Sequence, residues 1–238
     1  MPKGCGNAGP QYNFGGSREA PGTGWAVDRG MGGRYPYRMN TLRAVIFDMD
    51  GTIFDSRLDW IGLRETMGLV PDGRPIMRQL EDAGEQERER CLGILHEAER
   101  RGAESGVLID GTHEILDELT SRGVLCALLT NNSRDSADAV LKRNPLPFDL
   151  VVTRDDGPMK PDGAAFTQTL ARMGVAPHEA AAIGDTHLDA IAAHEAGIRE
   201  IILIGVADWM CEHLPTGASI RHVHTLADAK ECLLSVLA

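Results

Sequence analysis

Short hydrophobic runs alternate with amphipathic stretches from residue 44 to the end of the chain. Runs of four to six largely apolar residues are typical of strands in a parallel sheet that is covered on both faces. Stretches in which apolar residues recur every three or four positions predict helices between them. We predict five such strands, at Ala44–Phe47, Val124–Leu129, Phe148–Val152, Ala180–Ile183 and Glu200–Ile204.

The helices predicted between these strands complete an α/β alternation. They cover Gly111–Arg122, Arg134–Lys142, Pro161–Met173 and Thr186–Ala196, and the chain ends with a short strand at Ile220–Val223 and a helix at Leu226–Leu237. Gly123 and Gly197 follow two of these helices, where glycine is a common stop signal. The alternation predicts an α/β fold with a doubly wound parallel sheet.

One segment of about fifty residues interrupts the alternation after the first strand. It contains three predicted helices and a glycine-bounded break, at Arg57–Gly68, Pro75–Ala83, Glu85–Arg101 and Gly102–Gly106. The longest of them places Cys91, Leu95 and Ala98 on one face, with the charges elsewhere. We therefore predict a small all-α cap over residues 57–106, inserted into a core formed by residues 41–56 and 107–238.

Residues 1–40 differ in composition from the rest of the chain. They contain 10 of the 27 glycines, four prolines and no sustained apolar periodicity. Such a segment buries too little apolar surface to offset the entropy of ordering, so we expect a disordered tail. Met39 is an alternative start of the translated chain, and we favour that interpretation.

Charge and cysteine usage exclude several classes of protein. The net charge of −11 argues against a nucleic-acid-binding surface. No apolar run approaches 18 residues, so we expect no membrane-spanning segment and no membrane partner. An odd number of widely spaced cysteines without a C-x-x-C pair favours reduced thiols in a cytoplasmic protein, and the residues are Cys5, Cys91, Cys126, Cys211 and Cys232.

Polar side chains follow the predicted strands where the strands end. Asp48 and Asp50 come after the first strand, Thr130 and Asn131 after the second, and Asp185 after the fourth. The carboxyl ends of parallel strands meet at one edge, where open α/β sheets bind ligands. Two carboxylates two residues apart in this position require a cation, and an all-oxygen set suits magnesium.

Four short motifs in this order resemble the haloacid dehalogenase-like superfamily of hydrolases. They are F-D-M-D-G-T with Asp48 and Asp50, L-L-T-N with Thr130, M-K-P with Lys160, and G-D-T-H-L-D with Asp185 and Asp189. The resemblance extends from about Arg43 to the C-terminus and is nearest to small-capped relatives of phosphoglycolate phosphatase. In such proteins an insertion after the first strand is a mobile lid that selects the substrate.

The chemistry of these side chains agrees with the roles that the resemblance implies. Asp48 is the candidate nucleophile, and Asp50 is the candidate general acid and base. Thr130, Asn131 and Lys160 are candidates for holding the phosphoryl group. The candidate magnesium ligands are Asp48, the main-chain carbonyl of Asp50, Asp185 and, directly or through another group, Asp189.

Each of these residues has a plainer interpretation when it is taken alone. Thr130 and Asn131 are also typical of an ordinary turn with a helix cap. Lys160 would ordinarily be a solvated surface lysine, but the chain has only four lysines and one of them stands in the motif. Asp189 is also compatible with an exposed position in the first turn of a helix. For His187, inside the fourth motif, we expect a place on the helix surface.

Among the reactions of the superfamily, phosphomonoester hydrolysis fits the residues best. Dehalogenases lack the second aspartate, which is present here as Asp50. Phosphonate cleavage uses a cap lysine, and there is no lysine between Ser56 and Gly106. A sugar phosphomutase is the second choice, and a non-catalytic phosphate-binding module would be expected to have lost Asp48 or Asp50.

The predicted cap offers few candidates for substrate recognition. Arg57, Arg64 and Arg74 are three arginines whose planar groups suit carboxylate or phosphate oxygens, although each is also compatible with a solvated surface position. We place Arg57 in the substrate-binding set and expect the partner to be a small, anionic phosphorylated metabolite.

Overall fold

The computed structural model describes residues 42–237. Its eight strands are β1 (Ala44–Phe47), β2 (Phe54–Asp55), β3 (Val107–Leu108), β4 (Leu125–Leu129), β5 (Leu150–Val152), β6 (Ala180–Gly184), β7 (Glu200–Ile204) and β8 (Ile220–Val223). The tail that we expect to be disordered and the alternative start at Met39 lie outside the described residues.

A parallel sheet of six strands in the order β5-β4-β1-β6-β7-β8 forms the centre of the molecule. All six were predicted from the hydrophobic runs, and their pairings are parallel throughout. Strand β1 lies between β4 and β6, which is where its uninterrupted apolar sequence is buried on both sides. The predicted doubly wound α/β class is confirmed.

The described residues form eight α-helices, and the last five of them cover the two faces of this sheet. They are α1 (Trp60–Met67), α2 (Ile76–Gln79), α3 (Glu85–Ser105), α4 (Thr112–Ser121), α5 (Arg134–Arg143), α6 (Ala164–Met173), α7 (His187–Glu195) and α8 (Leu226–Leu237). Val45 and Phe47 of β1 pack with residues of α4, α5 and α8 on one face. Ala44 and Ile46 pack with residues of α6 and α7 on the other. The alternation of side chains along one strand thus builds two hydrophobic layers.

The helical segment after β1 has a hydrophobic cluster of its own. Helices α1, α2 and α3 contribute Met67, Ile76, Leu80, Cys91 and Leu95 to it. Strands β2 and β3 pair antiparallel at the two ends of the insert, with Phe54 opposite Leu108. This short pairing was not predicted, because two residues are too few to leave a periodic signal. The boundaries 57–106 of the cap stay a prediction.

The break predicted at Gly102–Gly106 is wrong. Helix α3 continues without interruption to Ser105, and both Gly102 and Ala103 are buried. A glycine inside a helix is tolerated when another segment packs against it. Here the added Cβ of any other residue at 102 would lie 3.1 Å from the Cβ of Ser56. The glycine therefore marks a close approach between helix α3 and the segment that leads into the cap.

Two further observations concern membranes and cysteines. Within residues 42–237, no helix is both long enough and apolar enough to cross a lipid bilayer. The four cysteines in this range, Cys91, Cys126, Cys211 and Cys232, are free thiols. The cytoplasmic location that we expect from cysteine usage stays a prediction.

Candidate active site

The predicted site residues converge at one edge of the sheet because three neighbouring strands end there. Asp48 follows β1, Thr130 follows β4 and Asp185 follows β6. The hydrogen bonds of the sheet continue to the first residues beyond the strands, since the amide of Asp48 donates to the carbonyl of Ile183 at 2.9 Å. The amide of Thr130 donates in the same way to Val152 at 3.0 Å. Backbone hydrogen bonds between the strands thus fix the positions of the Cα atoms that carry these side chains.

Asp48, Asp185 and Asp189 form a cluster of carboxylates. One oxygen atom of each lies within 4.8 Å of the others. Burial raises the pKa of Asp48 to about 7, and the neighbouring charge of Asp189 adds to the effect. Burial also raises the pKa of Asp185 well above its usual value, and the charges of Asp48 and Asp189 raise it further. Three carboxylates so placed need positive charge to remain ionised together.

Lys160 supplies one such charge at the centre of the cluster. Its ammonium group donates to Oδ1 of Asp48 at 2.5 Å and to Oδ1 of Asp189 at 2.6 Å. The side chain is only 3% exposed. Burial lowers the pKa of Lys160, but the charges of Asp189 and Asp48 outweigh burial, so the pKa is raised overall. Lys160 is therefore a buried, charged group and not the solvated lysine of the plainer interpretation.

Asn131 holds the backbone of Lys160. Its side-chain nitrogen donates to the carbonyl of Lys160 at 2.8 Å, and its side-chain oxygen accepts from the amide of Lys160 at 3.0 Å. Both ends of the Asn131 amide are thus engaged by one residue on a different loop. The substrate-binding role that we assigned to Asn131 stays a prediction, and this contact gives its side chain a structural task.

Asp50 lies on the same loop as Asp48 but in a different environment. Its Oδ2 atom accepts a hydrogen bond of 2.5 Å from the side-chain nitrogen of Asn132. Burial raises the pKa of Asp50 to about 6, although hydrogen bonds from Ser56 and Asn132 lower it in part. The Oδ1 atom is buried and has no well-aligned partner within residues 42–237. The carboxylate of Asp50 thus bonds to an amide and a hydroxyl, and the charges of Glu99 and Lys160 have smaller effects on its pKa.

The carboxylate cluster fits a divalent cation. Oδ1 of Asp185 is buried without a hydrogen-bond partner in the described part of the chain, as expected of an atom that is reserved for a ligand. Gly51, with φ +79°, passes so close that a Cβ there would lie 2.1 Å from Oδ2 of Asp185. Carboxylate oxygens are the ligands that magnesium prefers. A glycine is therefore required beside the cluster, because any larger residue would fill it.

Asp189 differs from Asp185 in that both of its oxygens have partners. Oδ1 binds Lys160, and Oδ2 accepts from the hydroxyl of Thr186 at 2.7 Å and from its amide at 3.1 Å. These contacts form a capping box at the start of α7. Asp189 is buried, so the exposed position of the plainer interpretation is wrong. Its role as a metal ligand stays a prediction.

Thr130 is buried at the start of the loop that follows β4. Its hydroxyl accepts a hydrogen bond of 3.1 Å from the amide of Asn132, and the residue is 3% exposed. Ser133 caps the next helix, α5, by accepting from the amide of Ser136. The loop from Thr130 to Ser133 therefore ends at the N-terminus of α5, where the amide of Arg134 donates to the carboxylate of Asp155 at 2.7 Å.

Comparison with known families decides what kind of protein carries this arrangement. The model of a family described as haloacid dehalogenase-like hydrolase matches residues 63–203, which is more than half of the chain. The chain belongs to this family. The matched range includes Thr130, Lys160, Asp185 and Asp189 but begins after Asp48, so the first motif rests on the sequence and on the geometry of the loop.

Individual relatives are distant. The chain is 29% identical over 184 residues to phosphoglycolate phosphatase 1 of Pseudomonas aeruginosa, covering 66% of this chain and 67% of the relative. It is 26% identical over 161 residues to a haloacid dehalogenase-like hydrolase domain-containing protein of Arabidopsis thaliana, covering 63% of this chain and 66% of the relative. The chain thus spans about two thirds of the length of these relatives.

A solved structure supports the fold. A hydrolase from Pseudomonas syringae superposes with a TM-score of 0.70 and 20% identity, covering 82% of this chain and all of the other. Identity at this level shows a shared fold.

The three cap arginines of this haloacid dehalogenase-like hydrolase are placed differently from one another. Arg64 donates to the carbonyls of Trp60 and Arg74 within the cap, and Arg74 pairs with Asp72 at 2.7 Å. Arg57 is exposed and adopts φ +56°, which is unusual for a residue with a side chain. Of the three, Arg57 is the one whose guanidinium is not engaged by a described neighbour.

His187 is buried in the hydrolase, so the expectation that it lies on the helix surface is wrong. It is 7% exposed, and its ring packs against Trp209 and His213 with centroid separations of 5.8 and 5.2 Å. Burial lowers the pKa of His187, and the charge of His213 lowers it further. A Cβ on Gly73 of the cap would lie 3.3 Å from the His187 ring. His187 therefore lies where the cap meets the core.

Sequence reasoning missed the residues that surround Asp50. Asn132 donates to Asp50 but falls just outside the L-L-T-N motif. Ser56 lies four residues after the first motif, and no role was predicted for it. Glu99 and Arg154 form a buried ion pair next to the same loop, and neither position carries a local signal of its burial. The first two could have been suspected from their position beside a motif, whereas the ion pair could not.

Proposed function

We propose that this hydrolase is a magnesium-dependent phosphatase that cleaves a small phosphomonoester through a phosphoryl group carried on Asp48. The observation that carries the proposal is the contrast between two carboxylates two residues apart. Asp48 binds Lys160 within the carboxylate cluster, whereas Asp50 binds Asn132 and has a pKa of about 6. Carboxylates with different environments commonly divide nucleophilic and acid–base tasks between them.

The reaction takes place in two displacements. An oxygen of Asp48 attacks phosphorus, the bond to the ester oxygen breaks, and Asp50 gives its proton to the departing alkoxide. Asp50, now ionised, removes a proton from a water molecule that attacks the same phosphorus. The bond to Asp48 breaks, inorganic phosphate leaves, and Asp50 is protonated again. A pKa of about 6 suits a group that must both give and accept a proton near neutral pH.

Three groups would hold the magnesium ion directly, namely Asp48, Asp185 and the main-chain carbonyl of Asp50. When bound, the ion would neutralise charge on the phosphoryl oxygens and the carboxylates. The orphaned Oδ1 of Asp185 supports a direct ligand there. Asp189, whose oxygens bind Lys160 and Thr186, would act on the metal site by holding the lysine in place.

Lys160 and Thr130 would bind the transferring phosphoryl group. Lys160 fixes the side chain of Asp48 and brings positive charge to the site. Thr130 stands at the start of the loop that leads into α5, and its hydroxyl, which accepts from the amide of Asn132, still has its own proton to donate to a phosphoryl oxygen. Asn131 keeps the backbone of Lys160 at the correct distance through its two hydrogen bonds.

We infer that residues 57–106 select the substrate as a small cap on a core of residues 41–56 and 107–238. The separate hydrophobic cluster of α1, α2 and α3 supports this division. Arg57, exposed at the entry to the cap, favours a substrate with a second anionic group. Relatives named as phosphoglycolate phosphatases support a small anionic phosphoester as the class of substrate. A cytoplasmic location of the enzyme accords with such a metabolite.

Metal dependence is the first test of the proposal. Purified enzyme should release phosphate from 4-nitrophenyl phosphate with magnesium, lose the activity in excess chelator and recover it when magnesium is restored. Calcium should inhibit, because its larger and looser coordination shell misplaces nucleophile and phosphoryl group. Activity that persists in chelator would contradict the proposed site, and binding of phosphate without turnover would favour a phosphate-binding module. Conversion of a sugar phosphate to its isomer would favour the phosphomutase.

Thermal stability gives a second test that does not depend on turnover. Asp185→Asn removes one charge from a buried cluster in which burial and the charges of Asp48 and Asp189 raise the pKa of Asp185, so the metal-free variant should melt above the metal-free wild type at pH 8. A shift of about 2–4 °C is expected for each kcal/mol of relieved repulsion. Magnesium should raise the melting temperature of the wild type and have little effect on the variant. A variant that responds to magnesium like the wild type would exclude Asp185 as a ligand.

A further inference from the structure

Asp50 touches two segments, and both of them rest on one face of the cap helix α3. Asn132, whose side chain donates to Asp50, lies in the loop after β4. Ser56, whose side chain also acts on Asp50, lies in the segment that enters the cap. The position of the Asp50 carboxylate therefore depends on what holds these two segments.

Glu99 of α3 holds the first segment. Its Oε2 atom accepts from the hydroxyl of Ser133 at 2.7 Å, next to Asn132. It also forms a two-pronged ion pair with Arg154, whose guanidinium donates in addition to the carbonyl of Asn131 at 3.2 Å. The amide of Arg154 donates to the carbonyl of Asn132 at 3.1 Å. Glu99 and Arg154 thus hold the loop through hydrogen bonds to its backbone carbonyls and to the hydroxyl of Ser133.

Stability alone does not account for this ion pair. The side chains of Glu99 and Arg154 are only 2% and 5% exposed. Buried ion pairs often contribute little net stability, because desolvation offsets their attraction. Every other glutamate of α3 that forms an ion pair among the described residues does so at an exposed position. A single buried glutamate that is aimed at an active-site loop points to a positioning role.

Gly102 of α3 holds the second segment. It lies three residues after Glu99 and therefore on the same face of the helix. A Cβ at this position would lie 3.1 Å from the Cβ of Ser56 and 3.2 Å from Cγ of Leu58. The absence of a side chain lets the segment around Ser56 pack directly on the helix. From one helical face, Gly102 thus lies against Ser56, and Glu99 reaches Asn132 indirectly, through Ser133 beside it and through Arg154.

We propose that this face of α3 positions the Asp50 carboxylate for proton transfer, with Glu99 and Gly102 as positioning residues. The inference rests on the proposed phosphatase activity and adds that the cap helix controls the acid step and not only the choice of substrate. A misplaced acid matters most when the departing alkoxide is a strong base, because such a group needs a proton to leave. A phenolate with a low pKa leaves almost without help.

The leaving group therefore distinguishes positioning from general damage. We would measure kcat/KM, which reports the step that phosphorylates Asp48, for 4-nitrophenyl phosphate and for the alkyl ester glycerol 2-phosphate in magnesium. Glu99→Gln should lower kcat/KM for the alkyl ester at least about tenfold more than for the aryl ester. Gly102→Ala, which forces Ser56 to shift, should show the same selectivity to a smaller degree.

Matched controls stand on the same helix. Glu97→Gln changes a glutamate that pairs with Arg100 and Arg101 at the surface. Gly93→Ala adds a methyl group where nothing lies within 4 Å, with the same gain in helix propensity as Gly102→Ala. Both controls should keep the wild-type ratio between the two esters.

The outcomes separate the proposals from each other. An equal loss on both esters, or no loss, in Glu99→Gln would overturn the positioning role. If Glu99→Gln does not fold, the ester ratio of Gly102→Ala against Gly93→Ala decides, and an unchanged ratio overturns it. Wild-type enzyme that hydrolyses neither ester would contradict the proposed function itself, before any variant is compared.

Discussion

Asp48→Asn should reduce phosphate release from any phosphomonoester to the background rate. The amide oxygen is a poor nucleophile, so no phosphoryl group can be transferred to residue 48. Enzymes commonly accelerate such reactions by 10⁶-fold or more, and we expect a loss of at least about 10⁴-fold in kcat. The measurement is steady-state release of phosphate from an aryl phosphate, with enough enzyme to detect residual turnover.

The variant should fold, because it loses the ion pair with Lys160 but keeps the other contacts around residue 48. Lys160 keeps its ion pair with Asp189, and the amide of residue 48 keeps its hydrogen bond to Ile183. Asp110→Asn is the matched control, since it makes the same change at an exposed position and should keep wild-type turnover. Residual activity in Asp48→Asn within a factor of ten of the wild type would show that another group attacks phosphorus.

Asp50→Asn should separate the two displacements in time. Asp48 and its contact with Lys160 are unchanged, and the new amide oxygen can still accept the hydrogen bond from Asn132. An aryl phosphate, whose leaving group hardly needs an acid, should transfer its phosphoryl group to Asp48 at a useful rate. Water activation then lacks its base. We expect a burst of phenolate close to one equivalent, followed by a steady rate lowered about 10²–10⁴-fold.

Rapid-quench kinetics measure the burst directly. The amplitude should scale with enzyme concentration and disappear in the double variant Asp48→Asn/Asp50→Asn. Slow turnover without any burst would mean that Asp50 is needed before phosphorylation of Asp48, and the division of roles between the two carboxylates would then be wrong.

The sheet and most of its site edge could be predicted because each signal is local. Four apolar residues before Asp48 predict a buried strand, and parallel strands bring their carboxyl ends together. Asp48 and Asp185 therefore meet in the structure although they are far apart in the chain, whereas Lys160 was expected at the site only from the resemblance of its motif. Strand periodicity predicts this convergence, whereas the order of the strands in the sheet was not predicted.

The surroundings of Asp50 could not be predicted because they depend on packing between distant segments. Glu99 stands in a helix with many charged residues, and nothing local distinguishes it from the exposed Glu97. Glycine is a common helix stop signal, yet Gly102 lies inside the helix and allows Ser56 to approach it closely. His187 is buried only because Trp209 and the cap lie against it. Such contacts are tertiary, and they override local preference.

The central claim is that Asp48 carries the phosphoryl group, and mass spectrometry of Asp50→Asn tests it most directly. The variant would be mixed with an aryl phosphate and magnesium, quenched in acid during the steady phase, and measured intact and after proteolysis. We predict one phosphoryl group per chain, located on the peptide that contains Asp48. A chain without a phosphoryl group, or one that carries it on another residue, would contradict the account.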